Sequence, residues 1–162
     1  MAIPDQRKRK QRRLWLLAGA VTACAVCLIP RRWLTVNDVT TGQTPAYPDL
    51  KPHVYAADVP AVRGALESAC ASLPRWRLMD RDVPEGEETF HAEVRTALFG
   101  FVDDVTIWLE PLPSESSSLP YTRVVIRSHS RVGRGDLGEN ARHIQALQTA
   151  MDAHLTAVAP AP

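Results

Sequence analysis

The stretch DVTIWLEPLPSESSSLPYTRVVIRSHS, residues 104–130, decides the fold. Val105, Ile107 and Leu109 alternate with Thr106, Trp108 and Glu110, so Asp104–Glu110 reads as a strand buried on one face. Thr122–Ser130 repeats the pattern, with Val124, Ile126, Ser128 and Ser130 on one face. The Pro- and Ser-rich PLPSESSSLP between them predicts a hairpin tip, and short connections predict antiparallel pairing.

Working outward, Glu88–Thr96 places Phe90, Ala92, Val94 and Thr96 on one face. Arg75–Val83 precedes it as a further strand, joined by a turn at Pro84-Glu85-Gly86. Before these strands, Asp58 caps a predicted helix to Leu73, with Val59, Val62, Leu66, Ala69 and Leu73 as its apolar stripe. Pro60 falls in its first turn, where a missing N–H costs little, and Pro74 ends it. After the strands, Asp136 and Glu139 have capping-box spacing and open a helix predicted over Leu137–Val158. The expected domain is therefore α+β: two layers ordered helix, four-stranded antiparallel sheet, helix. The uncovered sheet face would carry His91, Glu93, Arg95, Asp104, Thr106, Trp108, Arg123, Arg127 and His129.

The N-terminus has a different character. Residues 1–13 hold six basic residues against Asp5, a net +5. Leu14–Ile29 is uncharged, and at 1.5 Å per residue it covers roughly 24 Å, short of a ~30 Å hydrocarbon core. Trp33 and Leu34 extend it, with Arg31 and Arg32 reaching to the headgroups. The expected division is a basic cytoplasmic tail (1–13), a transmembrane anchor helix (14–34), an extended Pro-containing linker (35–57) and the α+β domain (58–158). Arg12, Arg13, Trp15, Arg31, Arg32 and Trp33 would mark the membrane interface. Basic residues outnumbering those after the span place the domain on the periplasmic side of a bacterial inner membrane. Ala18-Gly19-Ala20 and Ala23-Cys24-Ala25 also fit signal-peptide cleavage, and Val21-Thr22-Ala23-Cys24 is a loose lipobox.

From Trp33 onward the chain has 11 basic and 17 acidic residues, a net −6, which argues against nucleic acid as a partner. The three cysteines, Cys24, Cys27 and Cys70, build no disulfide framework and no paired zinc motif. Gly133, Gly135 and Gly138 spell G-x-G-x-x-G at a strand-to-helix turn. A dinucleotide fold needs a parallel strand after that helix, and the sequence offers none, so the glycines read as a tight turn and no cofactor is expected. His91, His129 and Asp104 are a weak metal set, and Ser128-His129-Ser130 lacks a nucleophile elbow. The better contact candidates for a ligand or partner are Arg131, Gly133, Arg134, Gly135 and Asp136, with Arg127, Arg95, Asp103 and Asp104 nearby. Two arginines and glycines at a helix N-terminus suit a carboxylate, a phosphate or a partner's chain end. The bland alternative is an internal bridge from Arg131 or Arg134 to Asp103, Asp104 or Asp49.

At these residues the chain resembles domain-of-unknown-function family 1499. SRVGRGDLGENARHI (130–144) and RTALFGFVDDVTIWLEP (95–111) look like its two hallmark segments, YPDLKP (47–52) like its opening and LPRWRLMD (73–80) like its first strand. The Ser-rich 114–119 is longer than the usual hairpin. The resemblance implies a small envelope-associated domain and carries over no catalytic residue. The expected function is a non-catalytic, membrane-anchored accessory or assembly subunit, with membrane-complex subunits and the bilayer as partners. An envelope ligand- or lipid-binding domain, and an uncharacterised hydrolase or metal enzyme, are the alternatives.

Overall fold

The computed structural model of the chain describes residues 30–79, 88–97, 100–113 and 119–158. Among them run three helices, α1 (Arg31–Thr35), α2 (Val59–Ser72) and α3 (Glu139–Asp152). Seven strands accompany them: β1 (Asp38–Thr40), β2 (His53–Tyr55), β3 (Trp76–Leu78), β4 (Thr89–Arg95), β5 (Val102–Leu112), β6 (Tyr121–Ser130) and β7 (Ala157–Val158).

The β5–β6 hairpin is the spine, paired from Asp103↔Ser130 to Leu112↔Tyr121. β4 joins β5, from Thr89↔Trp108 to Arg95↔Val102, and β3 closes that edge. The far edge of β6 is shared: β1 pairs its second half and β2 its first, with β7 outside β2. Every pairing is antiparallel. Phe90, Val105, Ile107, Leu109, Val124 and Ile126 are buried against Val62, Leu66 and Ala69 of α2 and Ile144, Leu147 and Met151 of α3. Alternation along β6 puts Arg123, Arg127 and His129 on the uncovered face. Asp58 caps α2 by accepting from the Ala61 N–H at 3.0 Å. Burial pushes the Cys70 thiol up to about 12, which leaves it an unreactive core residue.

The expected fold is wrong on two counts. First, the sheet is larger than four strands. The segment read as a linker, 35–57, supplies β1 and β2 and sends Val39, Leu50 and Tyr55 into the core. Strands of three residues are too short to show a period. Pro45, Pro48 and Pro52, read as breakers, punctuate the turns between them. The ten-residue β6 would otherwise present a bare edge, and the segment covers it. Second, no transmembrane helix is found: among the described residues no helix is long and apolar enough to cross a membrane. Residues 14–29, with Arg12, Arg13, Trp15, Cys24 and Cys27, lie outside the described residues. The rest of the expected span is the five-residue α1, docked on the domain. The last helix is also shorter than predicted, because the chain turns after Asp152 and pairs Val158 with Val54. The 84–86 turn and the Ser-rich 114–118 lie outside the described residues.

Two contacts fasten the former linker to α3. Tyr55 donates to Asp152 at 2.8 Å, and Gln148 donates to the Lys51 carbonyl at 2.7 Å. Leu50→Ala should therefore cost about 2–5 kcal/mol in urea unfolding, whereas a residue in a free linker would cost nothing measurable.

Candidate functional site

The turn from β6 into α3 is built around α1. The Leu137 N–H donates to the Trp33 carbonyl at 2.9 Å, and Asn37 donates to the Gly133 carbonyl at 2.6 Å. A Cβ on Gly135 would sit 2.3 Å from the Leu34 carbonyl carbon, so only hydrogen fits there. Gly138 has φ 83° and lies under the Trp33 indole, where a Cβ would meet Nε1 at 2.9 Å. The second and third glycines of the G-x-G-x-x-G, Gly135 and Gly138, thus admit α1. Leu137 is held at φ 55°, a left-handed conformation worth about 1–2 kcal/mol of strain in a non-glycine residue.

Beneath the turn lies a buried polar network centred on Asn140, which is 0% exposed. Its carbonyl accepts from the Ser128 hydroxyl at 2.6 Å. Its amide donates at 2.9 Å to the Ser130 hydroxyl and at 2.9 Å to the Asn37 carbonyl. Asp136 caps the helix, accepting from the N–H groups of Gly138 and Asn140 at 2.7 Å each. Asp103 faces Ser130 across the β5–β6 register and is 1% exposed. Its Oδ2 lies 3.5 Å from Nδ1 of His143, and neither atom has a hydrogen-bond partner. Burial pushes Asp103 above the usual carboxylate range, opposed by the Ser130 hydroxyl and reinforced by Asp136, Glu139 and Asp104. Burial likewise pushes His143 down, which keeps its ring neutral.

Over this network opens a cavity of about 210 Å³. Asp103, Asp136 and Glu139 supply carboxylates to its wall, Thr96 and Ser130 hydroxyls, and Phe101, Val132 and Leu137 apolar surface. Gly133 and Gly135 complete it.

Of the residues expected at a contact site, Asp103, Gly133, Gly135 and Asp136 come together here. The arginines do not. Arg131 turns to the open sheet face, binding both oxygens of Asp104 at 2.6 and 2.9 Å and Glu93 at 2.6 Å. That bridge holds the Asp104 carboxyl below its usual range. Arg127 forks onto Asp38 at 2.6 and 2.9 Å. Arg95 accepts at its carbonyl from Arg75 at 3.1 Å, and Arg134 is exposed outside the cavity wall. Strand alternation explains the split of the acidic pair: Asp103 points in and Asp104 out. Arg32 and Trp33, expected at a membrane interface, stack instead on Tyr47 at 5.3 Å and under Arg142 at 5.6 Å. Arg31 is exposed. Ser128 and Ser130 are engaged by the network. Among the described residues no group of three His, Cys, Asp or Glu could hold a metal ion.

Sequence reading missed Asn140, His143, Glu139, Phe101, Val132 and Leu137 as site residues. One signal was available: Asn140 precedes Ile144 by one helical turn, a polar residue on the buried stripe.

Asn140→Ala would remove three hydrogen bonds and leave the buried Ser128 hydroxyl without its acceptor, so it should cost about 3 kcal/mol in urea unfolding. For Asp103, a raised folded-state pKa means that its contribution is full below about pH 4 and is lost as pH rises through the folded value. Asp103→Asn mimics the protonated acid. Its stability relative to wild type should climb as pH rises from about 4 to about 8, and a constant difference would contradict the raised pKa.

The two segments that carried the family resemblance meet at this cavity, Thr96, Phe101 and Asp103 from one and Ser130 to Glu139 from the other. Comparison with curated proteins and with solved structures gives no match. The family described as "Protein of unknown function (DUF1499)" matches residues 29–151, most of the 162-residue chain. The chain therefore belongs to the DUF1499 family.

Proposed function

We propose that the protein is a non-catalytic accessory or assembly subunit of a bacterial membrane complex, docking through the α1 end of a periplasmic domain. One observation carries this reading. Six large apolar side chains are exposed among the described residues, and three of them, Phe101, Val132 and Leu137, line the cavity. Clustered exposed apolar groups beside a concave site mark a docking surface, where scattered ones would not.

The sequence supports the membrane setting. The basic residues 1–13 and the apolar 14–29 run directly into Pro30, whose carbonyl opens α1. α1 is fixed to the turn over the cavity, so the described chain begins at the docking end. The cavity itself favours a second reading, an envelope domain that binds a small ligand.

A pull-down of the tagged full chain in mild detergent, followed by mass spectrometry, separates these readings. Accessory function predicts stoichiometric recovery of one membrane complex. The double variant Phe101→Glu/Val132→Glu should lose that recovery with its circular dichroism unchanged, both side chains being about half exposed or more. Wild-type protein recovered alone would overturn the reading.

A further inference from the structure

Asp103 of β5 and His143 of α3 face each other in the core, at 1% and 8% exposure. The other neighbours of each are settled. The Ser130 hydroxyl lies on the Asp103 carboxyl, and Nε2 of His143 looks toward Oε2 of Glu139 at 3.8 Å. A carboxylate beside Nε2 favours the tautomer that carries its proton there. Nδ1 then holds a lone pair aimed at Oδ2 of Asp103 across 3.5 Å, and neither atom has a hydrogen-bond partner. Two acceptors so buried repel unless a proton stands between them. Moving the ring proton to Nδ1 would answer Asp103 but turn a lone pair on Glu139.

The surroundings choose where that proton sits. Burial pushes Asp103 up; the Ser130 hydroxyl opposes this, and Asp136, Glu139 and Asp104 reinforce it. Burial pushes His143 down; Glu139 and Asp136 oppose this, and Arg142 and Arg75, which precedes β3, reinforce it. Trp76 meets the ring edge to face at 6.1 Å and brings no charge. The proton therefore belongs on the carboxyl, beside a neutral ring.

We infer that Asp103 and His143 share one proton, carried on Oδ2 and donated to Nδ1, and that this bond is a pH-operated latch between β5 and α3. A closing of less than about 1 Å brings the two atoms into O–H···N range. Ionisation removes the proton and leaves a carboxylate facing a lone pair, in the company of Asp136, Glu139 and Asp104. Asp136 caps α3 and Glu139 is its first residue, so the repulsion acts on the start of that helix. Leu137 stands there too, on the cavity wall. The latch is closed at lower pH and opens as pH rises through the folded value of Asp103. Its control of partner binding rests on the docking reading above; the latch itself does not.

Long-range ¹H–¹⁵N spectra of the full chain in mild detergent read the His143 tautomer, and the Asp103 ¹³Cγ shift reads its carboxyl, from about pH 4 to about pH 8. At the acid end the carboxyl should read as protonated and the ring as the neutral Nε2–H tautomer. Both signals should change through one midpoint above the usual carboxylate range. Beyond it, exchange protection of the Asn140 and Arg142 amides, corrected for the intrinsic rate, should fall about tenfold or more. Asp103→Asn keeps a donor toward Nδ1 and should make that protection independent of pH. His143→Gln puts an amide donor against the carboxylate and should lower the Asp103 midpoint by about one pH unit or more. A ring held as the Nδ1–H tautomer, an Asp103 carboxyl titrating in its ordinary range, a midpoint indifferent to His143→Gln, or protection that ignores the titration would overturn the inference.

The pull-down, run on either side of that midpoint, reads the consequence for docking. Recovery of the complex should be greater below it, and Asp103→Asn should recover the complex equally on both sides. Wild-type recovery indifferent to the titration would strike the control of docking. Failure to recover a complex at any pH would overturn the docking reading alone, since the latch is read in the chain by itself.

Discussion

The rest of the structure depends on the Asn140 carboxamide. It is fully buried on α3, yet it joins three other elements: Ser128 and Ser130 of β6 and the Asn37 carbonyl that leads into β1. A buried amide so satisfied rigidifies its surroundings, because its own carbonyl and N–H groups have no water to turn to if those bonds break. It fixes where α3 begins, and so where Asp136 and Glu139 stand. Ser130, held in place by Asn140, in turn faces Asp103 across the hairpin. The Asn37 bond draws α1 and β1 onto the same corner. The cavity is what remains between these pieces.

That corner differs in chemistry from the open sheet face. There, acid and base are interleaved and already paired: Arg131 with Asp104 and Glu93, Arg127 with Asp38, Arg123 with Glu110. Exposed pairs of this kind add little stability, and they leave a solvated face with little unmet charge. The α1 corner is the reverse, with exposed apolar side chains around carboxylates that lack a basic neighbour on the cavity wall. The two faces explain why the arginine-flanked glycine turn misleads. Its charge serves the sheet, and its backbone serves α1.

Much of the core was legible in the sequence because β4, β5 and β6 are long and strictly alternating, and Asp58 is a strong helix start. The alternation also separated Asp103 from Asp104 in advance. The edge of the sheet was not legible. β1, β2 and β7 have three, three and two residues, and their reason to pair is the free edge of β6, a tertiary demand with no local trace. Trp33 and Leu34 misread for a related reason. An aromatic and a leucine beside arginines suit a membrane boundary, but here they fill the space left by Gly138 and Gly135. The cavity was half visible: Gly133, Gly135, Asp136 and Glu139 stood in one motif, while Phe101 and Asp103 belong to the other segment and needed the fold to bring them close.

In the proposed docking, the α1 corner meets the partner and the open sheet face does not. Photo-crosslinking in native membranes tests it directly, with a benzophenone amino acid placed at Val132 in one strain and at Thr106 on the open face in another. The Val132 probe should capture one membrane-complex subunit and the Thr106 probe none. Capture from Thr106 alone would contradict it.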